Sequence, residues 1–303
     1  MKKILSFLVF IFFSLNTVVY ANPETSLIVG YGPGGTDTLF RVFAKDTTEQ
    51  GGLKLTVENR AGANGVLAIK SYLQKQSFDN EVLGVSGGQT LFEAIINPEN
   101  NFIEEFKFIG PILKSPLALA VSSNGNIKSL EDLFDKSKPR RIVNIAVGGE
   151  FHRAIVTLIA KHSHHDIKAV MYKGGADAIV ALKGGHVDAQ VDVYGWFIQQ
   201  EGIKILGVAQ KTPLESGPSL DPYIPNINAV NFWSIAVSKK VQNTQKIEQA
   251  IRQGYVKNNR TQYWNKLGYQ IDDNLNSDYV QRSVIPEYNR WKKILVDDSN
   301  KKN

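Results

Sequence analysis

Short apolar runs alternate with amphipathic stretches from about residue 26 onward. Residues 26–29, 53–58 and 81–85 are apolar runs too short for helices and are bounded by turn residues, which predicts strands. Residues 39–49 and 66–74 between them carry apolar positions at helical spacing, which predicts helices. Two more apolar runs, 106–112 and 117–122, lie on either side of Pro116 and read as separate segments. After residue 120 the same grammar restarts. A short helix is expected at 129–134, where Ser129-Leu130-Glu131-Asp132 matches a capping box. Strands follow at 142–146 and 167–171, with helices at 151–162 and 176–182. Val187, Ala189, Val191 and Val193 alternate with Asp188, Gln190 and Asp192, the period of a half-buried strand. Runs at 203–209 and 232–237 also read as strands, residues 211–228 as a long loop, and the remainder as helical to about residue 295. Strands alternating with helices predict an α/β fold with largely parallel sheets, arranged as two lobes.

The chemistry sits in the glycine-bearing turns. Gly30-Tyr31-Gly32-Pro33-Gly34-Gly35-Thr36-Asp37 lies between a predicted strand and a predicted helix. Such a turn offers free backbone N–H groups and the positive end of a helix dipole to an anion. Ser86-Gly87-Gly88-Gln89 forms a similar turn in the first half, and Gly148-Gly149-Glu150 and Tyr172-Lys173-Gly174-Gly175 do so in the second. Two lobes built this way aim helix N-termini at a shared cleft. Gly30, Gly32 and Gly35 also fit a G-x-G-x-x-G dinucleotide fingerprint, with Glu58 about where the ribose-binding acid falls.

The N-terminus argues against the nucleotide. Met1-Lys2-Lys3, an apolar run at 4–15 and Val19-Tyr20-Ala21 form a secretory signal, expected to be cleaved after residue 21. Its apolar run is shorter than the ~20 residues of a membrane span. An exported chain meets little NAD, and Pro33 is awkward within the fingerprint. The sequence has no cysteine, which excludes disulfides, thiolate metal sites, cysteine nucleophiles and a thiol-linked lipid anchor. Free solution in a Gram-negative periplasm is the expectation. The formal charge of +6 is spread along the chain without a basic stripe, so no nucleic-acid partner is expected.

Two catalytic or metal readings come from short motifs. Gly84-Val85-Ser86-Gly87-Gly88 spells the G-x-S-x-G of a hydrolase elbow around Ser86, yet the last histidine, His186, stands far from the C-terminus. His162, His164, His165 and Asp166 cluster at a predicted helix end, where solvated histidines favour the dipole. No metal, cofactor or catalytic residue is assigned.

At its turns the chain resembles the periplasmic solute-binding proteins of tripartite tricarboxylate transporters, the Bug family. The loop from Gly30 to Asp37 stands where that family has P-F-P-P-G-G-x-x-D, and Val57-Glu58-Asn59-Arg60-Ala61-Gly62-Ala63-Asn64-Gly65 matches V-E-N-R-x-G-A-x-G. A second-lobe motif is met by residues 170–175, Ala178, Leu182, Gly184-Gly185 and Val187-Asp188, and the closing helix by Arg290-Trp291. Tyr31, Gly32 and Asp177 depart from the usual phenylalanine, proline and proline.

The resemblance implies a two-lobed Venus-flytrap, type II-like periplasmic-binding-protein fold that closes on a small carboxylate. Residues 22–118 and 232–303 would form lobe 1, and residues 119–231 lobe 2. Each partly buried helix N-terminus is worth about 1–2 kcal/mol to an anion. Tyr31 would stack on the ligand and offer its hydroxyl or be a structural tyrosine, Gly34 and Gly35 would let backbone approach, and Asp37 would hold a bridging water or, as favoured here, cap its helix. Gly87, Gly88 and Gln89 would form a second wall of lobe 1. Gly148, Gly149, Glu150, Phe151 and His152 would come from lobe 2, with Lys173, Gly174 and Gly175 behind them. Asp192 would select an amine or hydroxyl. Glu150 is either a cap or a cleft carboxylate that disfavours a dicarboxylate. The implied partners are a small organic acid or amino acid and integral-membrane permease subunits, with the protein a monomer; a membrane sensor kinase is the alternative listener.

Overall fold

The computed structural model describes residues 24–32, 34–75, 80–100, 102–110, 112–256, 260–272 and 277–300. The expected export signal lies outside them. The strands are β1 (Thr25–Val29), β2 (Leu55–Asn59), β3 (Glu81–Ser86), β4 (Phe106–Phe108), β5 (Ile112–Ser122), β6 (Ile142–Val147), β7 (Asp166–Met171), β8 (Ala189–Val193), β9 (Ile203–Val208), β10 (Val230–Ser238) and β11 (Gln270–Asp272). They hydrogen-bond in the order β2-β1-β3-β10-β5-β8-β6-β7, with β4 beside β10 and both β9 and β11 beside β5.

One strand belongs to both halves of this array. Residues Leu113 to Pro116 of β5 pair with β10, whereas Leu117 to Ala120 pair with β8. The sequence pattern suggested two segments broken at Pro116; the structure has one strand running through it. Proline is tolerated because its pair with Val230 is the last on that ladder, so the missing N–H falls where partners change. The next amide, Leu117 N–H, already donates to Ala229 O at 2.8 Å.

The sheets are mixed. β1 runs parallel to β2 and β3, and β6 parallel to β7 and β8, as expected. The connecting strands β5 and β10 are antiparallel to their neighbours. β8 also departs from its pattern, since all five of its residues are buried. It lies between β5 and β6 with both faces covered, and its polar residues are taken up inside.

The helices flank these strands: α1 (Gly35–Gly51), α2 (Val66–Leu73), α3 (Phe92–Ile96), α4 (Glu131–Phe134), α5 (Glu150–His162), α6 (Gly175–Lys183), α7 (Tyr194–Phe197), α8 (Gln245–Val256), α9 (Arg260–Lys266), α10 (Ser277–Tyr279) and α11 (Ile285–Asn300). The expected capping box is half realised before α4, where the Asp132 carboxylate accepts from Ser129 N–H at 3.1 Å and Lys128 N–H at 2.7 Å. No described helix is long and apolar enough to cross a membrane. The core runs through both halves, from Leu27, Ile28 and Leu83 to Val143, Ile145 and Val191.

Candidate functional site

Helices α1, α5 and α6 each follow a strand through a short turn, and each has a glycine as N-cap: Gly34, Gly149 and Gly174. All three caps are nearly fully extended, and none of the three helices has a side-chain cap. Their first-turn N–H groups are therefore left for whatever approaches.

The starts of α1 and α6 face each other across a cleft of about 750 Å³. One wall is Tyr31, Gly34, Gly35, Thr36 and the turn from Ala61 to Asn64; the other is Glu150 and residues Met171 to Asp177. At its inner end the cleft shares Gly35, Thr36 and Gly175 with a smaller cavity of about 40 Å³, room for a water or two. His152, Asp192, Trp196, Asn231, Trp233 and Tyr269 also line that cavity, together with Val193.

The candidates from the sequence divide between these places. Tyr31, Gly34, Gly35, Glu150, Lys173, Gly174 and Gly175 line the cleft. His152 and Asp192, with Gly35 and Gly175, line the inner cavity. Asp37, Gly87, Gly88, Gln89, Gly148, Gly149 and Phe151 line neither.

Each of the latter has another task. Asp37 is not a helix cap. Its carboxylate accepts from Arg41 Nε at 2.9 Å and Asn59 Nδ2 at 2.7 Å, and Asn59 Nδ2 also donates to Tyr31 O at 2.7 Å. The cluster thus fixes the glycine loop against the end of β2. Gly87 and Gly88 are glycines for packing: a Cβ at 87 would lie 2.2 Å from the Phe232 ring, and one at 88 would lie 2.6 Å from Phe151 Cδ1. Gly88 N–H donates to Asn231 Oδ1 at 2.5 Å. The backbone of Gln89 continues the same turn, and its side chain lies outside the described residues. Gly148 sits against Gly174, its Cβ position 3.5 Å from that backbone.

Phe151 is a correction to the expected wall. Its ring is fully buried against Phe92 of α3 at 5.3 Å and against Tyr288 and Trp291 of α11 at 5.0 and 5.8 Å between centroids. It clasps the two halves together behind the cleft.

Tyr31 is held at its hydroxyl by Thr90 and by Asn64 O at 3.3 Å, and burial pushes its phenol pKa well up. Of the two readings for this residue, the anchored structural tyrosine accounts for the hydroxyl, while the ring borders the cleft. Glu150 lies on the cleft, but Arg153 holds its carboxylate at 2.6 and 2.7 Å and offsets its charge. The inner cavity is electrostatically unbalanced. Burial raises the Asp192 carboxyl and lowers the His152 imidazole, each effect opposed by the attraction between them. Asp192 accepts from Val193 N–H at 2.8 Å and Gln190 Nε2 at 3.2 Å. His152 Nδ1 and Trp196 Nε1 are buried without a hydrogen-bond partner.

Thr36, Trp196, Asn231, Trp233 and Tyr269 were not anticipated as lining. The available signal was position: Asn231 and Trp233 open β10, and Trp196 follows the end of β8. Of the unused motifs, Ser86 is fully buried with Asn231 Nδ2 at 3.4 Å. His164 and His165 bond backbone carbonyls of Lys138 and Asp132, and no metal-ligand cluster occurs among the described residues.

Two α/β halves sharing a strand, with helix starts converging on a cleft, define a periplasmic-binding-protein type of fold. The periplasmic binding protein BugD superposes with a TM-score of 0.78 at 18% identity, covering 92% of this chain and 98% of that one. MatC from Rhodopseudomonas palustris, solved with bound malate, gives 0.73 at 17% identity, covering 89% and 98%. The model of the tripartite tricarboxylate transporter family receptor matches residues 39–299, and the chain belongs to that family. Among curated relatives, BugT of Bordetella pertussis is 28% identical over 185 residues, covering 57% of this chain and 55% of BugT. A protein of the UPF0065 group from Cupriavidus necator is 25% identical over 221 residues, 70% of this chain and 65% of its own length. The match thus spans less than two thirds of the length of these curated relatives.

Proposed function

We propose that the protein captures a small carboxylate-bearing solute in the cleft between α1 and α6 and delivers it to membrane subunits of a tripartite transporter, without catalysing a reaction. The observation that carries this is the pair of opposed helix starts, capped by Gly34 and Gly174 and free of side-chain caps, on the walls of one cleft. Their orphan N–H groups and dipoles stabilise an anion by about 1–2 kcal/mol each, and more as closure excludes water. The two R. palustris proteins of the same fold were solved with malate and with adipate, which supports an acid as the class of ligand. On this reading residues 22–118 and 232–303 form one lobe and 119–231 the other, residues 1–21 direct export, and the mature chain works in the periplasm as a monomer.

The test is a thermal shift of the chain beginning at residue 22 against mono-, di- and tricarboxylates, amino acids, aromatic acids and NAD. A true ligand at about a hundred times its Kd adds about 2.7 kcal/mol, or roughly 5–10 °C for a chain of this size. A shift with one acid class is expected. A shift with NAD alone overturns the reading.

A further inference from the structure

The inner cavity holds a carboxylate with no opposite charge. Asp192 is 8% exposed, and no Lys or Arg among the described residues pairs with it. Its neighbour His152 is 4% exposed and lines the same cavity, but burial favours its neutral form. Buried charges are ordinarily paired, because an isolated one loses its hydration without return. The cavity adjoins the cleft at Gly35, Thr36 and Gly175, which places a molecule bound in the cleft beside the group the protein leaves unpaired.

Gly175, the first residue of α6, marks the meeting point. A Cβ there would fall 2.4 Å from Asp192 Oδ2 and 3.4 Å from Trp196 Nε1. A carboxyl acceptor and a buried, unpartnered N–H donor therefore converge within one side chain's width. We propose that this cavity is the subsite for the ammonium group of a zwitterionic amino acid. Asp192 is the counter-charge, the neutral His152 ring a second acceptor, and Trp196 Nε1–H a donor to the carboxylate one carbon away. A hydroxyl at the same place satisfies hydrogen bonds but leaves the Asp192 charge unbalanced. An unsubstituted acid leaves both acceptors bare.

This inference rests on the acid-capture reading and sharpens it. The experiment is calorimetric titration of the mature chain and of Asp192→Asn with two matched sets. One is glutamate, 2-hydroxyglutarate and glutarate; the other is leucine, 2-hydroxy-4-methylpentanoate and 4-methylpentanoate. In at least one set the amino acid should bind about tenfold or more tightly than both analogues, the scale of a hydrogen bond to a charged group. Asp192→Asn should erase that margin while changing the analogues' affinities by less than about threefold. A hydroxy or unsubstituted acid that binds as tightly as its amino acid overturns the subsite alone, as does a margin that survives in Asp192→Asn. No binding from any of the six overturns the ammonium subsite, while acid capture stands or falls on the thermal-shift panel. The ranking in the unmodified chain decides the matter even if the variant fails to fold.

Discussion

Phe151→Ala tests whether the chain holds its own halves together. The ring projects from the start of α5 into a box made by Phe92, Tyr288 and Trp291, with all four residues at most 1% exposed. Truncating a buried phenylalanine costs about 3–5 kcal/mol when the hole cannot collapse. Collapse is hindered here because Gly88 and Asn231 fix the near side, the Gly88 N–H being bonded to Asn231 Oδ1. At roughly 2–4 °C per kcal/mol for a protein of this size, the melting temperature should fall by about 6–20 °C. The assay is a calorimetric melt of the ligand-free chain, with small-angle scattering beside it to detect separation of the halves. A drop smaller than about 3 °C would refute the clasp. So would a loss of ligand affinity at unchanged melting temperature, the behaviour of a cleft wall.

Two other outcomes follow from single residues. Gly174→Leu meets open space and an extended backbone, so it should leave the melting temperature within about 2 °C, while filling the cleft and lowering affinity for a bound acid by about tenfold or more in a titration. Hydrogen bonds from Lys138 and the Lys128 amide hold the Asp132 pKa down to about 2. Its carboxylate therefore stabilises the fold fully above its unfolded pKa of about 4. That contribution is lost as pH falls toward about 2. The difference in melting temperature between the unmodified chain and Asp132→Asn should accordingly be largest above pH ~5 and vanish only below pH ~2; a difference independent of pH would refute the assignment.

The parts of the molecule legible in the sequence are those encoded locally. A strand, a glycine turn and an amphipathic helix occupy consecutive residues, so the starts of α5 and α6 could be placed to within a residue from spacing alone, whereas α1 begins at Gly35, a turn before its first apolar position. What escaped depends on distant partners. Asp37 reads locally as a cap, yet Asn59, at the far end of β2, outcompetes the helix amides for it. The alternation in β8 reads as one wet face, but α5 and α6 pack against the strand and leave Gln190 and Asp192 inside. Pro116 reads as a break because local rules cannot show that the ladder to β10 ends there. Phe151 follows a glycine turn like a binding residue, and only the return of α11 from the end of the chain reveals its partners. Half of the inner cavity was hidden for the same reason, since Asn231 and Tyr269 come from segments far along the chain from α1.

The sharing of β5 between the sheets has a consequence for how the molecule comes apart. A protein of two lobes is usually pictured as two modules on a hinge, each able to melt by itself. Here the strand that completes one sheet also completes the other, and its two ends are eleven residues of one continuous backbone. Neither half can shed β5 without stripping an inner partner from its neighbour. A defect that frees β5 in one half is therefore felt in the other, because the same strand pairs with β10 on one side and with β8 on the other.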